Sequence, residues 1–121
     1  MKFWLPLILI YFFSVSSYAQ KTDDSTLTTL YFIRHAEKDR SNPENKNPHL
    51  TEIGQERAKY WAKTLQNVKF DAVYSTDYNR TIETATPTAQ INNLTVKRYN
   101  VNTLDAAKLL KENTGNNVLI V

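Results

Sequence analysis

The sequence predicts an α/β domain with three layers, in which a mostly parallel central sheet is flanked by helices. Short runs of β-branched and aliphatic residues alternate along the chain with segments of helical period. Short polar connections join them, and strands that alternate with helices form right-handed crossovers between parallel strands. A chain of 121 residues has room for one such domain.

Four segments have the composition of strands. The first, residues 27–33, is expected to be largely buried. The last, residues 118–121, is purely aliphatic and is therefore expected inside the sheet, covered on both faces. Because the sequence stops there, we expect the domain to be truncated after its fourth strand. The other two predicted strands are residues 70–74 and 94–99.

The first helix is expected to begin at Thr51, whose side chain can cap the first turn. Glu52 then lies at the positive end of the helix dipole. Apolar residues from Ile53 to Leu65 share one face, and the helix should end near Asn67. The preceding segment, residues 39–49, is rich in asparagine and proline, which predicts a loop.

The second helix should begin at about Tyr78, with Thr76 or Asp77 as its cap. We expect Pro87 to stop or kink it, because proline cannot donate the internal hydrogen bond. The third helix follows residues 94–99.

That third helix has Asn102 or Thr103 as its expected cap and carries apolar side chains at positions 104, 107 and 110. It should end at Gly115, because glycine is common just beyond helix C-termini.

The N-terminus has the pattern of a secretory signal, residues 1–19. Lys2 precedes the apolar residues 3–13, and Ala19 completes a small-x-small cleavage site. The apolar stretch is shorter than the roughly 20 residues that span a bilayer. We therefore predict export to the periplasm or the extracellular space with cleavage after residue 19. An uncleaved membrane anchor is the alternative.

Residues 20–26 are polar and form a predicted tether to the domain, residues 27–121.

The chain has no cysteine, which excludes disulfides, thiolate catalysis and cysteine-ligated metal sites. Its net charge of +3 is scattered, so we expect no nucleic-acid partner. We expect no stable membrane association unless the signal is uncleaved. No pattern in the sequence sets the oligomeric state.

Arg34 and His35 follow directly after the first predicted strand. Ligands of open α/β sheets bind outside the carboxyl ends of the strands, so these side chains are well placed for phosphoryl chemistry. An imidazole can attack phosphorus while a guanidinium holds the phosphate oxygens. The alternative is a structural histidine that is satisfied by a backbone carbonyl.

Arg80 lies in the first turn of the second predicted helix, at the same edge of the sheet. Helix N-termini favour anions, so Arg80 is a second candidate for phosphate binding. The alternative is a surface arginine paired with Glu83 at i+3, which contributes only a few tenths of a kcal/mol.

Three ordered blocks resemble the histidine phosphatase superfamily, the phosphoglycerate mutase-like proteins. Residues 34–37, R-H-A-E, are similar to the family's R-H-G-E, and residues 50–54 match L-T-x-x-G. Residues 80–87 match R-x-x-x-T-A-x-P after the second strand. The resemblance runs from residue 30 to about residue 90 and implies a phosphoglycerate mutase-like fold.

The resemblance implies a phosphoric-monoester hydrolase that needs no metal or cofactor. His35 would be the phosphorylated nucleophile, and Arg34 and Arg80 would clamp the phosphoryl group. Water would hydrolyse the phosphohistidine intermediate, and the partner would be a phosphorylated small-molecule substrate. Arginine suits the clamp because its fork stays charged and binds oxygens bidentately.

Two departures from the family pattern stand out. Ala36 replaces the usual glycine, a change that we expect to be tolerated. The family also carries a second pocket histidine, in a G-H pair directly after the strand that residues 118–121 match. The sequence ends before that position, and His49 does not match it and is expected to be an exposed loop histidine.

Glu37 and Glu83 lie close to His35 and Arg80 in sequence. Each is a candidate proton donor, or a partner that orients an arginine. Two other functions stay open: a phosphohistidine protein phosphatase of the small compact branch, and a catalytically silent phosphate-binding or structural fragment without the second pocket histidine. Mutase activity is disfavoured, because sugar-phosphate isomerisation belongs to central metabolism inside the cell and this chain is expected to be exported.

Overall fold

The computed structural model describes residues 26–121. The predicted signal, residues 1–19, and all but the last residue of the predicted tether lie outside the described residues. Strands and helices alternate along the rest of the chain, which confirms the predicted α/β fold. In order, the elements are β1 (Thr29–Phe32), α1 (Glu52–Thr64), β2 (Ala72–Thr76), α2 (Asn79–Ile91), β3 (Val96–Tyr99), α3 (Ala106–Glu112) and β4 (Asn117–Ile120).

All strand pairs in the described sheet are parallel, in the order β1-β4-β2-β3. The aliphatic strand β4 therefore lies between β1 and β2, as its composition predicts, and Val118 and Leu119 are 0% exposed. Among residues 26–121 β1 pairs only with β4, and there the expectation that it is largely buried is wrong: Phe32 is 70% exposed. β2 and β3 each begin two residues later than predicted.

Helices cover the two faces of the sheet unequally. On one face Val73 and Leu119 pack with Ala85 and Ala89 of α2. On the other face the short helix α3 contributes one buried leucine, Leu109. Phe32 pairs in register with Ile120, and residues in register share a face, so Phe32 lies on the less covered side. None of the helices within residues 26–121 has both the length and the apolar character needed to cross a membrane.

The start of α1 follows the prediction, since Thr51 Oγ1 accepts a hydrogen bond from the Gly54 N–H at 3.0 Å. The helix ends at Thr64 rather than near Asn67. Ala58 and Ala62 form its buried face, whereas Ile53 is 69% exposed and does not belong to that face.

The predicted caps of α2 are wrong: its N-cap is Tyr78, which makes no side-chain capping bond. Instead Asn47, in the loop before α1, accepts from the Asn79 N–H through its side chain at 2.8 Å. The helix continues past Pro87, so the predicted stop is wrong. Ala85 and Ala89, on either side of Pro87, are buried against the sheet, and this packing outweighs the one missing hydrogen bond.

The N-cap of α3 is Asp105, whose carboxylate accepts from the Lys108 N–H at 3.0 Å. The predicted caps, Asn102 and Thr103, are wrong: both lie in the turn before the helix, where their backbone N–H groups donate to Asn100. Gly115 has a φ of 78°, in the left-handed region that favours glycine after a helix.

Candidate active site

The segments that follow β1 and β2 lie at one edge of the sheet. Because neighbouring strands are parallel, their carboxyl ends meet at the same edge, where ligands of α/β folds bind. Residues 33–38 leave β1 there, and residues 77–80 connect β2 to α2.

His35 is half-buried, and its Nδ1 lies 2.7 Å from the Ala36 carbonyl oxygen. A carbonyl oxygen can only accept, so Nδ1 carries the hydrogen of this bond. In the neutral ring Nε2 then keeps its lone pair. The backbone bond anticipated for a structural histidine is present, and it leaves the second ring nitrogen available for chemistry.

Thr84 joins the segment after β1 to helix α2. Its Oγ1 accepts from the Ala36 N–H at 3.0 Å and donates to the Arg80 carbonyl at 2.6 Å. Its side chain is 0% exposed, so these bonds are shielded from water. Thr84 was not among the residues predicted for the site. Its four-residue spacing from Arg80, one helical turn, is the signal that could have indicated the contact.

Two of the three guanidinium nitrogens of Arg80 lack an acceptor within residues 26–121. Its Nε and Nη1 are buried and have no hydrogen-bond partner among the described residues. Cζ lies 4.3 Å from the centre of the Tyr78 ring, a cation–π contact that supports the side chain. No ion pair joins Arg80 to Glu83 in the part of the chain that the structure describes, so the surface-pair alternative is wrong.

A cleft of about 350 Å³ opens beside His35. The structure brings three of the five predicted site residues into it: Arg34, His35 and Glu37. Arg80 does not line this cleft, and its backbone is connected to residue 36 through Thr84. The remaining charged residues of the lining are Lys38, Arg40 and Arg57, which were not predicted from the sequence.

Glu37 is bound by a fork of hydrogen bonds from Arg57 of α1. Arg57 Nε donates to the two carboxylate oxygens at 2.7 and 2.8 Å, and Nη2 lies 2.6 Å from Oε1. The hydrogen bond from Arg57, followed by one from the backbone N–H of Glu37 itself, holds the pKa of Glu37 below its usual value. The fork holds Arg57 against Glu37 in the lining of the cleft.

The glycine of the L-T-x-x-G block has a steric role. A Cβ at Gly54 would lie 2.2 Å from the Glu37 carbonyl oxygen, so no larger residue fits there without backbone movement. The N–H and hydroxyl of Thr51 donate to the same carbonyl at 2.8 and 3.2 Å. The start of α1 is thereby fixed against the segment that carries His35.

Glu83 anchors the end of the loop before α1 and does not contact Arg80 through its side chain. Its carboxylate accepts from the Leu50 N–H at 2.8 Å and from Gln55 Nε2 at 3.1 Å, and it pairs with His49 Nδ1. His49 is exposed, as predicted, yet it is held by this contact.

Among residues 26–121 no group of three or more His, Cys, Asp or Glu is placed to hold a metal ion.

Solved structures with a similar fold include three phosphatases. A mutant phosphoserine phosphatase from Entamoeba histolytica in complex with phosphoserine has a TM-score of 0.63 and 16% identity over 78% of this chain and 73% of its own. The protein histidine phosphatase SixA complexed with tungstate has a TM-score of 0.62 and 19% identity over 75% and 66%.

The third is a mycobacterial glucosyl-3-phosphoglycerate phosphatase, with a TM-score of 0.50 and 23% identity over 56% of this chain. This chain spans 34% of that protein's length. No curated protein sequence matches this chain.

The model of the histidine phosphatase superfamily (branch 1) matches residues 30–100, which contain His35, Gly54 and Arg80. This chain therefore belongs to the histidine phosphatase superfamily.

Proposed function

We propose that this chain is an exported phosphoric-monoester hydrolase that works through a phosphohistidine intermediate on His35. The observation that carries the proposal is the 2.7 Å contact between His35 Nδ1 and the Ala36 carbonyl. Because Nδ1 is occupied as a donor, Nε2 keeps the lone pair that a nucleophile needs. The pattern of residues 1–19 supports export.

Arg80 and Arg34 supply the positive charge for the phosphoryl group. Two buried N–H groups of Arg80 lack an acceptor in the part of the chain that the structure describes, and a buried donor without a partner costs about 1–3 kcal/mol. A phosphate oxygen would satisfy these donors with charge-assisted bonds. Arg34 lies in the wall of the cleft beside His35.

The proposed reaction has two steps. The Nε2 lone pair of His35 forms a bond to phosphorus, and the bond between phosphorus and the ester oxygen breaks with its electron pair on the leaving oxygen. The leaving oxygen takes a proton from solvent. Water then attacks the phosphorus and gives one proton back to solvent, the P–N bond breaks, and inorganic phosphate leaves with Nε2 restored. The arginines stabilise the negative charge on the phosphoryl oxygens in both steps, so we expect no requirement for a metal or cofactor.

We assign Glu37 and Glu83 to positioning rather than to proton donation. Glu37 is held ionised by Arg57, and Glu83 is engaged with the loop at Leu50. The phosphoserine complex of the Entamoeba histolytica relative supports a phosphorylated small molecule as the substrate class.

Hydrolysis of p-nitrophenyl phosphate by the full chain tests the proposal. An aryl leaving group departs as a stabilised phenolate, so this substrate makes little demand on a proton donor. We expect His35→Ala to lower turnover by at least about a thousandfold, because it removes the nucleophile. The matched control is His49→Ala, the other histidine, which should retain most of the activity. Turnover should persist in EDTA.

Undiminished turnover in His35→Ala, or complete loss in EDTA, would overturn the phosphohistidine mechanism. Trapping of acid-labile phosphate on His35 would support it directly. A native chain with no turnover of any phosphate ester would favour the catalytically silent alternative. Turnover of a phosphohistidine peptide alone would favour the protein phosphatase alternative.

A further inference from the structure

Arg80 lies in the first turn of α2, a turn that the helix does not cap with its own side chain. Arg80 is the second residue of the helix, and the N-cap Tyr78 makes no side-chain capping bond. The first N–H groups of a helix have no acceptor within the helix, and uncapped helix ends fray. The direction of the Arg80 side chain therefore depends on contacts that hold this turn from outside the helix.

Asn47, in the loop before α1, makes such contacts. Its Oδ1 accepts from the Asn79 N–H at 2.8 Å, and its carbonyl accepts from Asn79 Nδ2 at 3.0 Å. Two hydrogen bonds between the same pair of residues fix both their distance and their orientation. Because Asn79 directly precedes Arg80, the loop supplies the cap for the turn that carries Arg80.

Asn47 is itself held in place within its loop. Its N–H donates to Asn45 Oδ1 at 3.0 Å. The next residue, Pro48, is buried, and a proline limits the backbone conformations of the residue before it. His49 then pairs with Glu83 of α2. The carboxamide of Asn47 is thus presented to α2 from a segment with fixed neighbours.

The same loop connects the cleft beside His35 to α2. Lys38, which lines the cleft, forms an isolated antiparallel bridge with Leu50 across the base of the loop. The Leu50 N–H donates to Glu83 of α2 at 2.8 Å. This connection is separate from the buried one through Thr84.

We propose that Asn47 and Asn79 are positioning residues for phosphate binding: Asn47 holds the first turn of α2 in the conformation in which Arg80 meets a phosphoryl oxygen. The inference rests on the proposed function for the role of Arg80. Nε and Nη1 of Arg80 are buried and lack an acceptor within residues 26–121. Because hydrogen bonds weaken steeply when they are misaligned, a shift of this turn would weaken the bonds from these donors to phosphate.

Titration of the isotope-labelled full chain with inorganic phosphate, followed by NMR, tests the proposal without turnover. We expect Asn47→Ala to weaken phosphate binding about tenfold, because the lost hydrogen bond frees the turn that carries Arg80. Asn47→Asp keeps an oxygen that can accept from the Asn79 N–H, so it should recover most of the affinity.

Asn42→Ala is the matched control. Asn42 Oδ1 accepts from the Glu44 N–H at 3.0 Å, so this variant loses the same kind of bond from the same loop but not the bond to α2. Its phosphate affinity should stay within about twofold of the native value. Amide hydrogen exchange at Asn79 should become faster in Asn47→Ala and stay at its native rate in Asn42→Ala.

A double-mutant cycle with Arg80→Gln separates positioning from a purely structural role. In the Arg80→Gln background, Asn47→Ala should change the phosphate affinity by less than about twofold, since the side chain through which Asn47 acts is gone. A purely structural effect would be independent of Arg80 and would appear equally in both backgrounds.

The inference is overturned by native phosphate affinity or native Asn79 exchange in Asn47→Ala, by an equal loss in Asn42→Ala, by failure of Asn47→Asp to recover affinity, or by the same loss in the Arg80→Gln background. A native chain that binds no phosphate would overturn it together with the arginine clamp. A chain that shows the coupling but hydrolyses no phosphate ester would contradict the enzyme proposal alone. A chain that hydrolyses the aryl phosphate without the coupling would contradict this inference alone.

Discussion

Thr84 is the side chain through which the two parts of the candidate site meet. It accepts from the backbone of Ala36, next to His35, and donates to the backbone of Arg80. A hydroxyl that both accepts and donates fixes two segments relative to each other. At the residue scale, the placement of the proposed nucleophile thus depends on a buried threonine as well as on charged groups.

Replacing Thr84 tests this coupling. Thr84→Val keeps the shape and leaves the buried Ala36 N–H without an acceptor, which should cost about 1–3 kcal/mol in the free energy of unfolding. Urea unfolding measures the loss, and turnover of p-nitrophenyl phosphate should fall with it. Thr84→Ser retains the hydroxyl and should recover most of the activity. Equal activity of the valine and native chains would contradict the coupling.

The Glu37–Arg57 fork should make the stability of the chain depend on pH. Because the pKa of Glu37 is lowered in the folded chain, the pair stabilises the fold above the unfolded pKa of about 4.3, and the stabilisation is lost as pH falls through the folded pKa. An NMR titration of the Glu37 carboxyl should show the lowered pKa in the native chain. Arg57→Gln should return it toward its usual value.

Lys63→Gln removes an exposed charge from the last turn of the same helix and serves as the control for that titration. It should leave the pKa of Glu37 where it is in the native chain. If Arg57→Gln left the carboxyl titration unmoved, the fork would not be the cause of the shift.

At the scale of elements, the start of α1 is the most tightly specified junction near the site. Thr51 both caps the helix and donates to the Glu37 carbonyl, and Gly54 allows that carbonyl to approach. Alanine in place of a glycine in a helix ordinarily stabilises by about 1 kcal/mol. The close approach at Gly54 should reverse that sign.

Gly54→Ala should therefore destabilise the chain, by about 1–3 kcal/mol, as overpacking does. The displaced backbone of Glu37 should also lower turnover, since it adjoins the His35 segment. Thermal or urea unfolding measures the first effect and aryl phosphate hydrolysis the second. Lys63→Ala on the exposed side of α1 is the control, expected within about 0.5 kcal/mol of the native chain. A more stable Gly54→Ala would refute the steric role.

The helix caps show where sequence reasoning works. Thr51 was predictable because a cap and the N–H that it accepts are neighbours in sequence. The acceptor at the start of α2 was not, because Asn47 comes from a loop 32 residues earlier, and only the folded chain brings it to Asn79. Arg57 was missed at the site for the same reason: its partner Glu37 is 20 residues away.

At the scale of the whole molecule, the sheet order explains why β4 was predicted well and β1 was not. An aliphatic run is a sign of burial on both faces, and β4 has a strand on each side. β1 has a similarly apolar sequence, yet within residues 26–121 it pairs with β4 alone, a position that its composition does not encode. Phe32 is exposed as a result.

The different exposure of Leu119 and Phe32 predicts different costs of truncating the two side chains. Leu119 is 0% exposed at the centre of the sheet, where it packs with Val73 and Ala85, so Leu119→Ala should cost about 2–5 kcal/mol. Phe32→Ala removes a larger side chain that is 70% exposed, and it should cost less than about 1 kcal/mol. Urea unfolding of both variants measures the difference. If Phe32→Ala proved as costly as Leu119→Ala, Phe32 would be buried in solution against a surface outside residues 26–121, and β1 would not be a free edge.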